Sequence, residues 1–207
     1  MNNELSKIMR SRKYKFLKRN SYQYKNYKII PIRRSDILKI KNWRNDQINI
    51  LRQTHPLSDS AQLKYFEKIV KKSFTAKKPE QILFSFILKN QCIGYGGLVH
   101  IDWEKKQTEL SFLNETRRAS AKKLHKQDFT IFLRLLSEII FSELKFEKII
   151  TETYDIRSDL IKTMEEIGFV LEEKLDNHVI INDTLHDSLL HKLDKKSYIS
   201  HKIGEIK

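Results

Sequence analysis

The sequence predicts a mixed α/β fold, a central and mostly antiparallel sheet with helices on both faces. Three observations predict it. Short apolar runs of strand length cluster at residues 82–88, 92–103 and 108–113. Segments with apolar residues at helical spacing lie before and after this cluster. The strand–helix–strand passage over residues 108–153 requires a right-handed crossover, and so one parallel strand pair.

Each element has its own signal. Residues 27–32 (YKIIPI) read as a strand, with Pro31 suggesting an edge. Ser35 and Asp36 are cap residues, followed by Ile37, Ile40 and Trp43 on one helical face. Residues 61–72 place Leu63, Phe66, Ile69 and Val70 on a second amphipathic helix. The strands at 82–88 and 92–103 flank Lys89-Asn90-Gln91, a hairpin turn. Residues 108–113 (TELSFL) add a third strand, so the three form a meander. A basic stretch at 114–126 leads into a helix with Phe129, Phe132, Leu133, Leu136, Ile139 and Ile140 in one wide stripe. Residues 148–153 read as a strand, and 160–167 as a helix stopped by Gly168. Residues 169–175 and 178–181 read as closing strands, and Asn182-Asp183 turns the chain into residues 185–193.

A chain of 207 residues suits one domain. With 40% hydrophobic and 32% charged residues it is globular rather than disordered. One cysteine, Cys92, excludes an internal disulfide and a cysteine-based zinc cage. No apolar stretch has the length of a membrane span. The N-terminal region is basic and lacks an apolar signal core, so a reducing cytoplasm is the expected location.

The net charge of +14 is concentrated at the ends. Residues 1–26 carry eight Lys and Arg against Glu4, and residues 192–207 carry five Lys against Asp194 and Glu205. The chain therefore divides into a basic N-terminal extension (1–26), a body (27–193) and a basic C-terminal tail (194–207). The tails read either as solvated segments or as an electrostatic attraction for RNA, DNA or an anionic membrane, and the interleaved Tyr14, Phe16, Tyr22, Tyr24 and Tyr27 either stack on bases or pack a short helix on the body. His178, His186 and His191 have acids nearby, but their spacing follows strands and a turn, so no metal site is expected.

Several segments together resemble the GCN5-related N-acetyltransferase (GNAT) superfamily. They are residues 38–45 (LKIKNWRN), 92–97 (CIGYGG), Ile101-Asp102-Trp103, 109–113 (ELSFL), 141–148 (FSELKFEK) and 164–169 (MEEIGF). The Trp-Arg-Asn start and the Ile-Asp-Trp strand end look most like the subgroup that acetylates ribosomal-protein N-termini and nucleotide-linked amino sugars, and within it the sugar enzymes. The resemblance implies the GNAT fold, in which the fourth and fifth strands splay apart, here residues 108–113 and 148–153. It implies acetyl-CoA as acyl donor in that gap, its pantetheine arm lying along the backbone of Ser111, Phe112 and Leu113. It implies direct attack by a deprotonated primary amine on the thioester, with a strand amide polarising the carbonyl.

The resemblance also exposes departures. The family's Gln/Arg-x-x-Gly-x-Gly/Ala loop is missing, and its glycine positions fall at Gln127 and Phe129. Asp128 is placed to cap the following helix and occupy the amides a phosphate would use. Arg117, Arg118, Lys122, Lys123, His125 and Lys126 stand in a stretch free of acids and form either a side-chain clamp for a pyrophosphate or a solvated basic loop. The family's acid tyrosine falls at Met164 and a nearby family asparagine at Arg157, leaving Tyr154 as the nearest proton donor. Glu109 and His100 are the candidate bases, each with a plainer reading, Glu109 as a strand salt bridge and His100 as a structural or exposed residue. Trp43, Arg44, Asn45 and His178 would border the acceptor, with Arg44 able to hold a nucleotide diphosphate, unless Trp43 packs in the core and Arg44 forms an internal pair. The expected partner is thus a small-molecule amine, a sugar nucleotide first. A protein N-terminus, an aminoacyl-tRNA, or a non-catalytic binding module of the same fold are the alternatives.

Overall fold

The computed structural model describes residues 13–200. Eight strands form one sheet in the order β1-β2-β3-β4-β5-β6-β8-β7. They are β1 (Tyr22–Tyr24), β2 (Tyr27–Pro31), β3 (Ile82–Leu88), β4 (Gln91–Asp102), β5 (Gln107–Asn114), β6 (Lys148–Tyr154), β7 (Val170–Ile181) and β8 (Thr184–Asp194). Every neighbouring pair is antiparallel except β5 and β6. The fold class read from the sequence is therefore the observed one.

The α-helices are α1 (Ile37–Asp46), α2 (Asp59–Tyr65, prolonged by a π-helical turn Phe66–Val70 and a last α-turn Lys71–Ser73), α3 (Thr116–Ser120), α4 (Lys122–Ser137, prolonged by a π-helical turn Glu138–Glu143), α5 (Ser158–Ile167) and α6 (Lys195–Ser200). Local chemistry sets their limits. Ser58 caps α2 by accepting the Ala61 N–H at 3.1 Å. Gly168 ends α5 at φ 105°, a left-handed conformation that suits a residue without Cβ. Lys89 and Asn90, both at positive φ, make the two-residue turn between β3 and β4. The apolar stripe of α4 is buried along its whole length against the sheet, with Phe132, Leu133, Leu136, Ile139 and Ile140 fully covered.

Two boundaries differ from the sequence reading. Residues 14–24, counted there with the basic extension, pack on the sheet. The fully buried Tyr14 hydroxyl donates to the Leu83 carbonyl at 2.7 Å and accepts the Leu83 N–H at 2.8 Å. Leu17 and Tyr22 are buried, and β1 pairs with β2. Pro31 is thus not on the sheet's outermost strand. It lies past the end of β1, whose pairing reaches only Ile29, so its missing N–H interrupts no ladder on that side. The second difference is that residues 170–181 form one long irregular strand, whose pairing with β8 shifts between Leu175 and Val179. Residues 1–12 and 201–207, with most of the proposed tail contacts, lie outside the described residues.

Candidate active site

β5 and β6 pair at Gln107–Lys148, Thr108–Ile149 and Glu109–Ile150, and there the ladder stops. β5 runs on to Asn114 and β6 to Tyr154 with an open gap between them, where the sequence expected splayed strands. A cavity of about 590 Å³ occupies this gap. Its wall runs from His100 and Glu109 to Phe112, Phe129, Arg157 and Met164. Phe129 packs obliquely against Phe112, ring centroids 5.6 Å apart, and so forms part of the wall without closing the space. Close passage of β4 along β5 needs glycine. A Cβ on Gly96 would lie 2.1 Å from the Ser111 carbonyl oxygen, and one on Gly94 would lie 2.8 Å from that of Leu113.

At the paired end of the gap stands a charged cluster. Glu109 accepts from Arg52 Nη2 at 2.5 Å through Oε1, and its Oε2 lies 2.7 Å from His100 Nδ1. The same Arg52 nitrogen reaches Glu152 Oε2 at 2.8 Å. His178 Nδ1 lies 2.9 Å from Ser188 Oγ and 3.6 Å from Glu152 Oε1. His100 takes its direction from an irregularity in β4, where φ is 46° and the pairing with β5 shifts. The structure thus joins three residues singled out in the sequence, Glu109, His100 and His178, through two that were not, Arg52 and Glu152. Arg52 gave no local signal, because its role depends on a loop folding back over two strands. Tyr154 is buried on the same wall. Desolvation, then the Glu152 charge, pushes its hydroxyl above the usual phenol range, so it stays protonated.

The three residues of the Trp-Arg-Asn element separate. Trp43 is in the core. Asn45 braces the loop before α2, accepting the Leu57 N–H at 2.8 Å and donating to the Leu57 carbonyl at 2.9 Å. Neither lines the cavity: Trp43 takes the core place that was one of its two readings, and the assignment of Asn45 to the acceptor is corrected. Arg44 does line it. Its Nη1 donates to the Tyr95 hydroxyl at 2.6 Å and its Nε to Gln53 Oε1 at 3.0 Å, so both partners are neutral. Arg44 also borders an adjoining cavity of about 330 Å³ with Tyr65, Gln81, Tyr95 and Ser111. There the buried Gln81 Nε2 donates to no group among the described residues, while Gln81 Oε1 accepts from Tyr65 at 2.7 Å.

The basic loop is built differently from either sequence reading. Arg118 clasps the fully buried Asp128, Nε to Oδ2 at 2.6 Å and Nη2 to Oδ1 at 2.7 Å. Asn114 Nδ2 adds a third contact to Asp128 at 3.1 Å, and His125 Nδ1 sits 3.2 Å from Asn114 Oδ1. Asp128 is therefore not a cap but lies within α4, and Arg118 is not available to clamp an anion. Lys126 pairs with Glu166, and Gln127 donates to the Tyr27 hydroxyl at 3.1 Å, so these two are also engaged. The N-terminus of α4 falls at Lys122, and its cap residue Ala121 offers no side-chain acceptor. Its first amides have no partner within the helix, and the helix dipole favours an anion there. Arg117, exposed on α3, and Lys123, exposed on α4, flank this end. An unpaired strand edge and an uncapped long helix are together a fit for a donor with an extended amide arm and phosphates.

A family model for the acetyltransferase (GNAT) domain matches residues 29–190. The chain belongs to this family, and it is an N-acetyltransferase with acetyl-CoA as acyl donor. Among solved structures it is similar to the spermidine N-acetyltransferase of Vibrio cholerae in complex with CoA and spermine, at 17% identity and a TM-score of 0.71, covering 85% of this chain and 99% of that one. It is also similar to mutant forms of the spermidine/spermine N-acetyltransferase SpeG from the same organism, at 16% identity and a TM-score of 0.69, covering 86% and 98%. At such identities the shared property is the fold. A search of curated protein sequences finds no match. Among the described residues no helix is long and apolar enough to cross a membrane.

Proposed function

We propose that the protein acetylates a primary amine whose carrier also bears an anionic group, a nucleotide-linked amino sugar being the example that the sequence resemblance favours. The observation that carries this reading is Arg44. It lines the acceptor end of the gap and has no carboxylate partner among the described residues, with the unspent Gln81 amide in the same recess. A guanidinium held by neutral groups keeps its charge for a phosphate or carboxylate.

The residues divide the work as follows. Backbone of Ser111, Phe112 and Leu113 lies along the donor's arm, and the amides at the start of α4, with Arg117 and Lys123, hold its phosphates. Glu109 takes the proton from the attacking ammonium, directly or through water, while Arg52 and His100 fix its carboxylate. A backbone N–H of β5 polarises the thioester carbonyl. Tyr154, protonated and buried beside the gap, donates a hydrogen bond to the departing sulfur and keeps its own proton.

A second reading has one observation in its favour. Glu80, Glu109 and Glu152 all line the cavity, which suits a polycationic acceptor. Two of these three already share Arg52, so the first reading is preferred. A panel with acetyl-CoA and a UDP-linked amino sugar, spermidine, or a short peptide with a free N-terminus separates them. The anionic amine is expected to have the highest kcat/KM, and faster turnover of spermidine would overturn this. If acetyl-CoA at millimolar concentration leaves Tm unchanged, the protein does not bind the donor, and a non-catalytic binding module becomes the account.

A further inference from the structure

Arg157 is a cation lining the donor gap that no described residue neutralises. It precedes α5 and lines the cavity with Phe112, Phe129, Tyr154, Leu160 and Met164. Its guanidinium makes no hydrogen bond or ion pair with any described residue, whereas Arg44, Arg52 and Arg118 all have partners. Burial alone pushes it down, to about 10, so it is still charged at neutral pH. The ionisable groups around it are few. His125 on α4 is held down to about 4, by burial first and by Arg157 second, and so is neutral. Tyr154 on β6 is protonated, and Asp159 on α5 faces Lys122 at 2.8 Å. Arg157 is partly exposed, on the cavity side, and an unpartnered cation in a cleft suits an anion that arrives later.

We propose that Arg157 is a catalytic residue that receives the negative charge of the leaving sulfur. This rests on the acetyl-transfer reading above. When the amine nitrogen bonds to the thioester carbon, the C–S bond breaks and its electron pair stays on sulfur as a thiolate. The ammonium proton goes to Glu109. Arg157 changes no protonation state and acts through its charge. The position fits, because Arg157 lines the gap together with Tyr154 and Met164, and Met164 has no proton to give. A cation in a low-dielectric slot stabilises a thiolate far more than water-exposed lysines at the mouth.

The test uses binding of the product CoA, so it is independent of the acceptor. A guanidinium beside the sulfur lowers the bound thiol below its free value of about 8.5. CoA affinity of the wild type, read by calorimetry, is then expected to rise about tenfold from pH 6.5 to pH 8.5. Desulfo-CoA, which lacks the titrating sulfur but meets the same protein groups, is expected to show no such rise. Arg157→Met is expected to abolish the rise for CoA while leaving desulfo-CoA affinity within about twofold, and Arg157→Lys to restore most of it. Equal weakening of CoA and desulfo-CoA in Arg157→Met would assign the residue to the donor's arm or phosphates and overturn the proposal. An unchanged pH dependence would also overturn it. Failure of the wild type to bind CoA at all would instead remove the acetyl-transfer reading.

Discussion

Arg118 and Asp128 form a two-pronged ion pair, at 2.6 and 2.7 Å, in the segment where the family resemblance led one to expect a glycine cradle. Asp128 is fully buried and Arg118 partly so. The pair ties the short α3 to the first turns of α4. It explains how the loop keeps its shape without glycine, through side chains rather than backbone freedom.

This pair predicts a stability phenotype. Arg118→Ala leaves a buried carboxylate unpaired, and is expected to cost about 3–5 kcal/mol in urea unfolding. Arg118→Ala combined with Asp128→Ala is expected to cost less than the single change, because no lone charge remains. A double variant less stable than the single would show that the pair is not the source.

Glu109→Gln keeps the contact with Arg52 and removes the proton acceptor. Turnover is expected to fall about 10²-fold or more, with CoA affinity in calorimetry unchanged. A wild-type rate would exclude Glu109 as the base.

Arg44→Gln is expected to raise KM for an anionic acceptor about tenfold or more, with little change for a neutral or cationic amine. The loss corresponds to one charged hydrogen bond, about 1.5–3 kcal/mol. An equal effect on all amines would make Arg44 a brace for Tyr95 only.

Gly96→Ala would put a Cβ 2.1 Å from the Ser111 carbonyl oxygen, a contact that only movement of β5 relieves. The expected cost is about 3 kcal/mol, with weakened CoA binding because β5 is the donor's track. Thermal unfolding and calorimetry check both.

His125 makes stability depend on pH. Its folded pKa is pushed down to about 4, by burial first, from about 6.5 in the unfolded chain. Below pH 6.5 the unfolded state therefore binds more protons than the folded one, and stability is lost as pH falls towards 4. The full loss is on the order of 3 kcal/mol. His125→Phe is expected to flatten the change in Tm between pH 7.5 and pH 5, and a wild-type slope in that variant would contradict the assignment.

Strand and helix identity were legible wherever a pattern is local. The stripe of α4, the turn at Lys89-Asn90 and the stop at Gly168 follow from spacing and backbone preference. The parallel pair followed from connection handedness alone. What was missed depends on distant chain segments. Arg52 joins Glu109 to Glu152 across a gap that no sequence window spans. Arg118 looked like a free cation because its partner lies ten residues on, inside a helix rather than at its start. For Tyr14 the sequence left base stacking and packing on the body both open, because the partner that decides for packing, Leu83, comes from β3.

β6 is gripped on its far side by β8 from Lys148 through Tyr154, but on its near side by β5 only as far as Ile150. Leaning towards β5 would tear it from β8. The slot is therefore permanent, and the enzyme has no need to pry itself apart before each turnover.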